Sequence, residues 1–149
     1  MQLCFNGVCM NNIDTANKNI KILVIDDDPS ATDLLAKLLA SKRVKVMTTN
    51  SGQEGLELVK YHEFDGVVLD LQMPDFEGAS LTSRIKEISK VPILIISAID
   101  SPEMVTQALN NGADEYLPKP FSSNIFFARL ASLIRRYHTE KLALPFGNA

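Results

Sequence analysis

Cysteine is scarce in this 149-residue chain, where only Cys4 and Cys9 occur. Two are too few for the disulfide framework of a small secreted fold, and they lack the partner His or Cys residues of a zinc site. They read as ordinary thiols near a loose terminus. A strong charge of either sign is missing as well: 15 Lys and Arg against 18 Asp and Glu leave a formal net charge of -3. No basic field of the whole chain therefore recruits nucleic acid or an anionic membrane. The first ten residues, MQLCFNGVCM, hold no Lys or Arg and no apolar stretch of signal-peptide length. No run elsewhere approaches the roughly 18 apolar residues of a membrane span. These absences predict a cytoplasmic protein, with no membrane partner, whose function resides in a local site.

What is present is a hydrophobic fraction of 46%, enough for one globular domain with its own core. Residues 1–19, with five Asn and little apolar periodicity, read as a flexible N-terminal extension. Residues 140–149, EKLALPFGNA, read as a linker or the start of a missing domain. Residues 20–139 remain for the fold.

Within them, apolar runs of β type recur at Ile22 to Ile25, Val44 to Met47, Val67 to Leu69, Ile93 to Ile96 and Tyr116-Leu117, beginning 22 to 26 residues apart. The intervals read as helices. Leu34, Leu35, Leu38 and Leu39 form one apolar face, Leu81, Ile85 and Ile88 another, and Ile125, Phe126, Leu130, Leu133 and Ile134 a third. Asp28 is a predicted N-cap before Pro29, and Gly112 a predicted stop for the helix holding Met104, Val105, Ala108 and Leu109. Strands buried on both faces are continuously apolar, as the first, third and fourth runs are; the alternating second and the short fifth are predicted edges. The expected fold is therefore α/β, a doubly wound, flavodoxin-like, five-stranded parallel sheet in order 2-1-3-4-5 with helices on both faces. Its ligand crevice lies beyond the carboxyl ends of strands 1 and 3.

Polar residues collect at those ends: Asp26-Asp27-Asp28 after strand 1, Asp70 after strand 3, Ser97-Ala98 at strand 4, and Pro118-Lys119-Pro120 at strand 5. Crowded carboxylates either take up protons or hold a cation, and an all-oxygen set suits a hard divalent ion such as Mg²⁺ or Mn²⁺. The first loop has three acids, no glycine, and neither GxGxxG nor GxxxxGK[ST], which disfavours a nucleotide there. A carboxylate can attack a phosphoryl group to form an acyl phosphate if cations neutralise the phosphoryl oxygens and a hydroxyl donates to one of them. Asp70, Lys119 and Ser97 can fill those roles. Singly, each has a plainer reading as a turn residue, a solvated charge or a helix cap; together, at the ends of separate strands, they favour a site.

The segments ILVIDDDP (22–29), VVLDLQMPDFEG (67–78), PILIISA (92–98) and EYLPKPF (115–121) resemble, in order and spacing, the receiver domain of bacterial two-component response regulators. The resemblance spans nearly all of residues 20–139. It implies that Asp70 is the phosphoacceptor, that Asp26, Asp27, Asp70 and the backbone carbonyl of Gln72 hold Mg²⁺, and that Ser97 and Lys119 contact the phosphoryl group. It implies a switch in which Ser97 moves toward the phosphoryl group and Tyr116 turns inward. Ala98 leaves room beside the acceptor, Pro74 and Gly78 shape the loop after it, and the Lys119-Pro120 bond is expected to be cis. Ile99 is expected near the path of the attacking water, with Gln72 a second tuning position.

The implied partner is a sensor histidine kinase. The implied output face is the fourth helix, fifth strand and fifth helix, residues 102–137, which pairs two copies in the winged-helix transcription-factor subclass. Here Glu115 and Arg129 survive as one candidate ion pair, whereas Val105 and Ile125 are apolar where that subclass carries charge; ordinary core packing is the alternative for both. Arg135-Arg136 and the segment ending in Phe146-Gly147 resemble the linker and opening strand of a winged-helix domain, so the chain is expected to be a receiver fragment or a truncated product, with DNA contacted only through the missing domain. Two other functions compete. Asp26 and Asp28 imitate the DxD motif of haloacid dehalogenase-type phosphatases, but Glu140 is the only acid after Lys119, so the late acidic pair is missing. A degenerate receiver acting only as a binding module lacks an acceptor, an acid or the lysine, and all are present.

Overall fold

The apolar runs become five parallel strands in the computed structural model, which describes residues 4–5, 8–9, 20–76 and 78–143. The elements of the sheet domain are β1 (Lys21–Ile25), α1 (Pro29–Ala40), β2 (Lys45–Thr49), α2 (Gly52–Tyr61), β3 (Gly66–Leu69), α3 (Gly78–Ile88), β4 (Ile93–Ser97), α4 (Pro102–Asn110), β5 (Glu115–Pro118) and α5 (Ser123–Ala143). The strands lie in the order β2-β1-β3-β4-β5, every neighbouring pair parallel. This is the expected doubly wound order. β3 and β4 are buried throughout, and β2 and β5 are the half-exposed edges.

Alternation along the inner strands divides the core in two. Ile22 and Val24 of β1, Val68 of β3, and Leu94 and Ile96 of β4 face α1 and α5, where Leu35, Leu39, Phe126, Leu130 and Ile134 cover them. Leu23, Ile25, Leu69, Ile93 and Ile95 face the opposite way, against Leu56 and Val59 of α2, Leu81 and Ile85 of α3, and Ala108 of α4. Removing one large apolar side chain from water contributes about 1.5–3 kcal/mol, so a strand buried on both faces is worth more than either edge.

Local signals set the helix boundaries. Asp28 caps α1 by accepting the Ser30 amide at 3.0 Å, with Pro29 in the first turn. Ser101 caps α4 by accepting the Met104 amide at 3.3 Å, and α4 ends at Asn110, with Asn111 as its C-cap before Gly112, whose φ of 111° suits a residue without a Cβ.

Three expected core residues are on the surface: Leu34 (55% exposed), Ile88 (44%) and Ile125 (44%). A helix lying on a sheet buries a narrow stripe. In α1 that stripe runs Thr32, Leu35, Leu39, and Leu34, about 100° around the helix from Leu35, falls outside it.

Cys4–Phe5 and Val8–Cys9, within the stretch read as an extension, pair antiparallel, and both short strands lie against α5. α5 itself continues through 140–143, residues read as linker. Phe146-Gly147 lies outside the described residues.

Candidate functional site

Strand register brings the acids together. Ile25 and Leu69 are partners across β1 and β3, and the Asp70 amide donates to the Ile25 carbonyl at 3.0 Å, so the next residues, Asp26 and Asp70, stand side by side. At β4, Ser97 pairs with Pro118, and the Lys119 amide donates to the Ser97 carbonyl at 2.9 Å. Lys119 then reaches across β4: its Nζ lies 3.0 Å from Asp26 Oδ2 and 2.9 Å from Asp70 Oδ2. Asp26 and Asp70 are buried, 3% and 6% exposed, whereas Asp27 is exposed. The remaining oxygens are also engaged, Asp26 Oδ1 by the Asp28 amide and Asp70 Oδ1 by the Gln72 amide, each at 3.0 Å.

The electrostatics follow from that crowding. Burial, the largest cause, pushes the Asp26 carboxyl above its usual range, and the neighbouring Asp70 charge adds to it; the Asp28 amide and Lys119 act in opposition. For Lys119, burial alone favours the neutral amine, but its bonds to Asp70 and Asp26 outweigh that and raise its pKa.

Carboxylate oxygens of Asp26, Asp27 and Asp70 lie within 4.8 Å of one another. Three acids against one ammonium leave a formal surplus of two negative charges, and the donors are all hard oxygens. That set fits a divalent cation of the Mg²⁺ type.

The other expected residues surround this cluster. Ser97 is fully buried, and its Oγ accepts the Ile99 amide at 3.1 Å; it bonds to neither the acids nor Lys119 Nζ. Tyr116 packs against the core on the α2–α4 side of the sheet with its hydroxyl buried and, among the described residues, without a hydrogen bond of good geometry. Burial, the largest cause, raises its pKa, with the Asp100 and Asp70 charges adding and the nearby Ser97 hydroxyl opposing. Ala98 and Gln72 are exposed; Ile99 is half-buried and leans on the same core cluster as Tyr116. Lys119-Pro120 is cis, as the resemblance implies. Glu115 and Arg129 pair within the chain at 3.1 Å, and Arg129 also reaches the Tyr116 carbonyl. Ile125 is exposed and Val105 half-buried, neither in a core cluster, so core packing does not account for them.

Two supporting residues were not anticipated. Asn50, just beyond β2, donates to the Asp26 carbonyl at 2.7 Å and to Thr32 Oγ1 at 3.3 Å, bracing the first acidic loop. Its position at a strand's carboxyl end was the available signal. Asp75, in the loop after Asp70, accepts from Ser51 Oγ and from the amides of Gly52 and Gln53, fastening that loop to the start of α2. Nothing local in the sequence marks it.

A doubly wound sheet with three aspartates and a lysine at its carboxyl edge defines a small α/β protein with an acidic crevice whose oxygens fit a divalent cation. Comparison with known proteins narrows the class. The sequence matches the family described as response regulator receiver domain over residues 22–131. The cell cycle response regulator CtrA of Brucella ovis is 35% identical over 119 residues, covering 78% of this chain and 51% of that protein. The CtrA of Brucella anthropi gives the same figures. The chain thus spans about half the length of these curated relatives. Among solved structures, the receiver domain of the Francisella response regulator 1452 is 33% identical with a TM-score of 0.74, covering 80% of this chain and 99% of that one. A CheY-like receiver domain protein from Methanospirillum hungatei has a TM-score of 0.80 at 23% identity, covering 83% and 99%, a likeness of fold. The chain belongs to the response regulator receiver domain family. Among the described residues, no helix is long and apolar enough to cross a membrane.

Proposed function

We propose that this chain is a phosphorylation-dependent signalling switch in which Asp70 accepts a phosphoryl group from a phosphohistidine of a sensor kinase. The observation that carries this is the Lys119 ammonium held between Asp26 and Asp70, with two further hydrogen bonds orienting those carboxylates. An oxygen of Asp70 attacks phosphorus, the N–P bond of the donor breaks, and the imidazole leaves as its nitrogen regains a proton. Asp26, Asp27, Asp70 and the Gln72 carbonyl are the groups to hold Mg²⁺, which supplies charge neutralisation for the phosphoryl oxygens. Lys119 contributes the second positive charge. Ser97 Oγ releases the Ile99 amide to donate to a phosphoryl oxygen, and Tyr116 follows it, biasing an existing two-state equilibrium of the α4, β5 and α5 face.

On this reading the protein assists its own phosphorylation and dephosphorylation and is not a turnover enzyme. A groove of about 730 Å³, lined by Leu34, Leu38, Ala98, Lys119 and Phe121, opens beside the site and offers the kinase an apolar footing. The half-length match to the CtrA relatives supports an output domain beyond this chain, of winged-helix type and transcriptional in effect, through which DNA is contacted. Exposed Ile125 and half-buried Val105 support a homodimer across the same face, more apolar than that of the subclass. On this reading the protein acts in the cytoplasm.

The test is incubation with acetyl phosphate, with and without Mg²⁺, followed by intact mass for the natural chain and Asp70→Asn. The expected result is a Mg²⁺-dependent gain of one phosphoryl group that the variant loses. Steady phosphate release from general substrates that survives Asp70→Asn would instead establish a phosphatase, and no adduct at all would leave a binding module.

A further inference from the structure

The turn from β2 into α2 contributes no acid to the cluster, yet it holds both loops that do. Asn50 donates from Nδ2 to the Asp26 carbonyl at 2.7 Å, and the Asp26 amide donates to the Thr49 carbonyl at 3.2 Å. The amide and the carbonyl of Asp26 are thus both tied to the end of β2. On the other side, Asp75, in the loop after Asp70, accepts Ser51 Oγ at 3.0 Å and the amides of Gly52 and Gln53 at 3.0 and 3.1 Å. The approach is close enough that a Cβ on Gly52 would meet Phe76 Cβ at 3.1 Å and Asp75 Oδ1 at 3.2 Å.

The turn is also bonded to itself. Buried Thr49 donates its hydroxyl to the Glu54 carboxylate and accepts the Ser51 amide at 3.1 Å, while Ser51 Oγ accepts the Glu54 amide at 3.2 Å. Residues 49–54 therefore form a stiff spacer with one loop of the acidic cluster fastened at each end.

We propose that this segment is a brace that sets the affinity of the cluster for a divalent cation, with Asn50 and Asp75 as its positioning residues. The inference rests on the metal site of the proposed function and adds residues outside the ligand set. The β1–β3 ladder ends at Ile25 and Leu69, so the ligands furthest from it, Asp27 and the Gln72 carbonyl, depend on how their loops are held. Asn50 fixes the backbone just before Asp27, and Asp75 fixes the loop that carries Gln72. An ion of the Mg²⁺ type demands near-octahedral geometry, so the placement of its ligands enters its affinity directly.

The experiment titrates the full chain with Mn²⁺ alone, without a phosphodonor, reading free ion by its EPR signal, and then adds Mg²⁺ as competitor. Each variant is measured at a temperature where circular dichroism shows it folded. Asn50→Ala removes one arm and changes no charge; it is expected to weaken binding of both ions by about tenfold, the low end of the roughly 10–100-fold that partners outside the ligand set supply. Asp75→Ala should weaken it as well, by a factor that persists as ionic strength is raised, since a charge effect from an exposed carboxylate would be screened. Ser89→Ala is the control: it removes the bond that Ser89 Oγ accepts from the Val91 amide, at the opposite end of the sheet, and should lower the melting temperature without changing metal affinity. Natural affinity in Asn50→Ala, a loss in Asp75→Ala that vanishes with salt, or an equal loss in Ser89→Ala would each overturn the brace and leave the metal site standing. A natural chain that takes up no Mn²⁺ would overturn that site, and the brace with it.

Discussion

Asp75 Oδ1 accepts the backbone N–H of Gly52 at 3.0 Å, joining the loop that follows Asp70 to the first turn of α2, with Oδ2 taking Gln53 and Ser51. One carboxylate thus caps a helix and restrains the loop beside the acidic cluster. The amide of Gln53, the largest cause, holds its carboxyl below the usual range; burial, the next in size, opposes it, and the bonds from Gly52 and Ser51 add to the lowering. Asp75→Ala is expected to lower stability by about 1 kcal/mol, the ordinary worth of a capping side chain. A depressed carboxyl contributes stability that is present above its unfolded value of 3.8 and is lost as pH falls through the lower folded value. The melting-temperature gap between the natural chain and Asp75→Ala should therefore be full at neutral pH and shrink in acid below 3.8. A gap independent of pH would show that the carboxylate's charge plays no part.

Gly55 tests how closely α2 approaches the sheet. A Cβ there meets Ile25 Cδ1 at 2.5 Å and Cγ1 at 3.0 Å, and Ile25 is fully buried, so its side chain can yield only by displacing other core groups. Alanine favours a helix interior over glycine by about 1 kcal/mol, but overpacking a closed core costs about 1–3 kcal/mol. The steric cost is expected to win. Gly55→Ala should melt below the natural chain in a thermal scan, and a higher melting temperature would mean that α2 shifts outward freely.

These contacts also mark where reading the sequence stops. Asp26, Asp70, Ser97 and Lys119 were legible because each ends or follows a β-type run, and parallel register carries consecutive run ends to one edge. Asn50 also follows a β-type run, but it braces a backbone carbonyl and carries no charge to mark it, while Asp75 lies within a loop and meets the start of α2, 23 residues back, which no local periodicity records. Helix faces were legible in direction and not in width. Leu35 and Leu39 are core, whereas Leu34, next to Leu35 on the helix, stands beside a groove. The pairing of Cys4–Phe5 with Val8–Cys9 was hidden because two residue pairs of strand carry too little pattern to separate from an irregular terminus.

The Tyr116 hydroxyl is buried without a hydrogen bond of good geometry among the described residues; the neighbouring Ser97 Oγ accepts the Ile99 amide and keeps its own O–H, which only weakly favours the phenolate. An unsatisfied buried hydroxyl costs about 1–3 kcal/mol, and phenylalanine keeps the ring's packing. Tyr116→Phe should therefore be neutral or raise the melting temperature of the unphosphorylated chain, against the usual loss for a core change. A fall of several degrees would show that the hydroxyl has a partner of its own.

Ile99 bears on how long the proposed acyl phosphate at Asp70 survives. Its amide donates to Ser97 Oγ, so it begins the segment just beyond β4, and its side chain is half-buried against the core cluster on the α2–α4 side. An aliphatic chain there can obstruct an attacking water but offers no hydrogen bond to aim it. Hydrolysis of the phosphorylated chain is accordingly expected to be slow. Ile99→Ala removes obstruction without adding a polar group, whereas Ile99→Asp adds an acceptor able to orient water, so the two separate access from alignment. With phosphoryl loss followed by intact mass after the donor is removed, Ile99→Asp is expected to shorten the lifetime by about tenfold and Ile99→Ala by less, a modest share of what positioned acid–base groups supply. Equal lifetimes in all three chains would remove Ile99 from the water's path and leave Gln72, whose amide bonds to Asp70, as the residue to vary next.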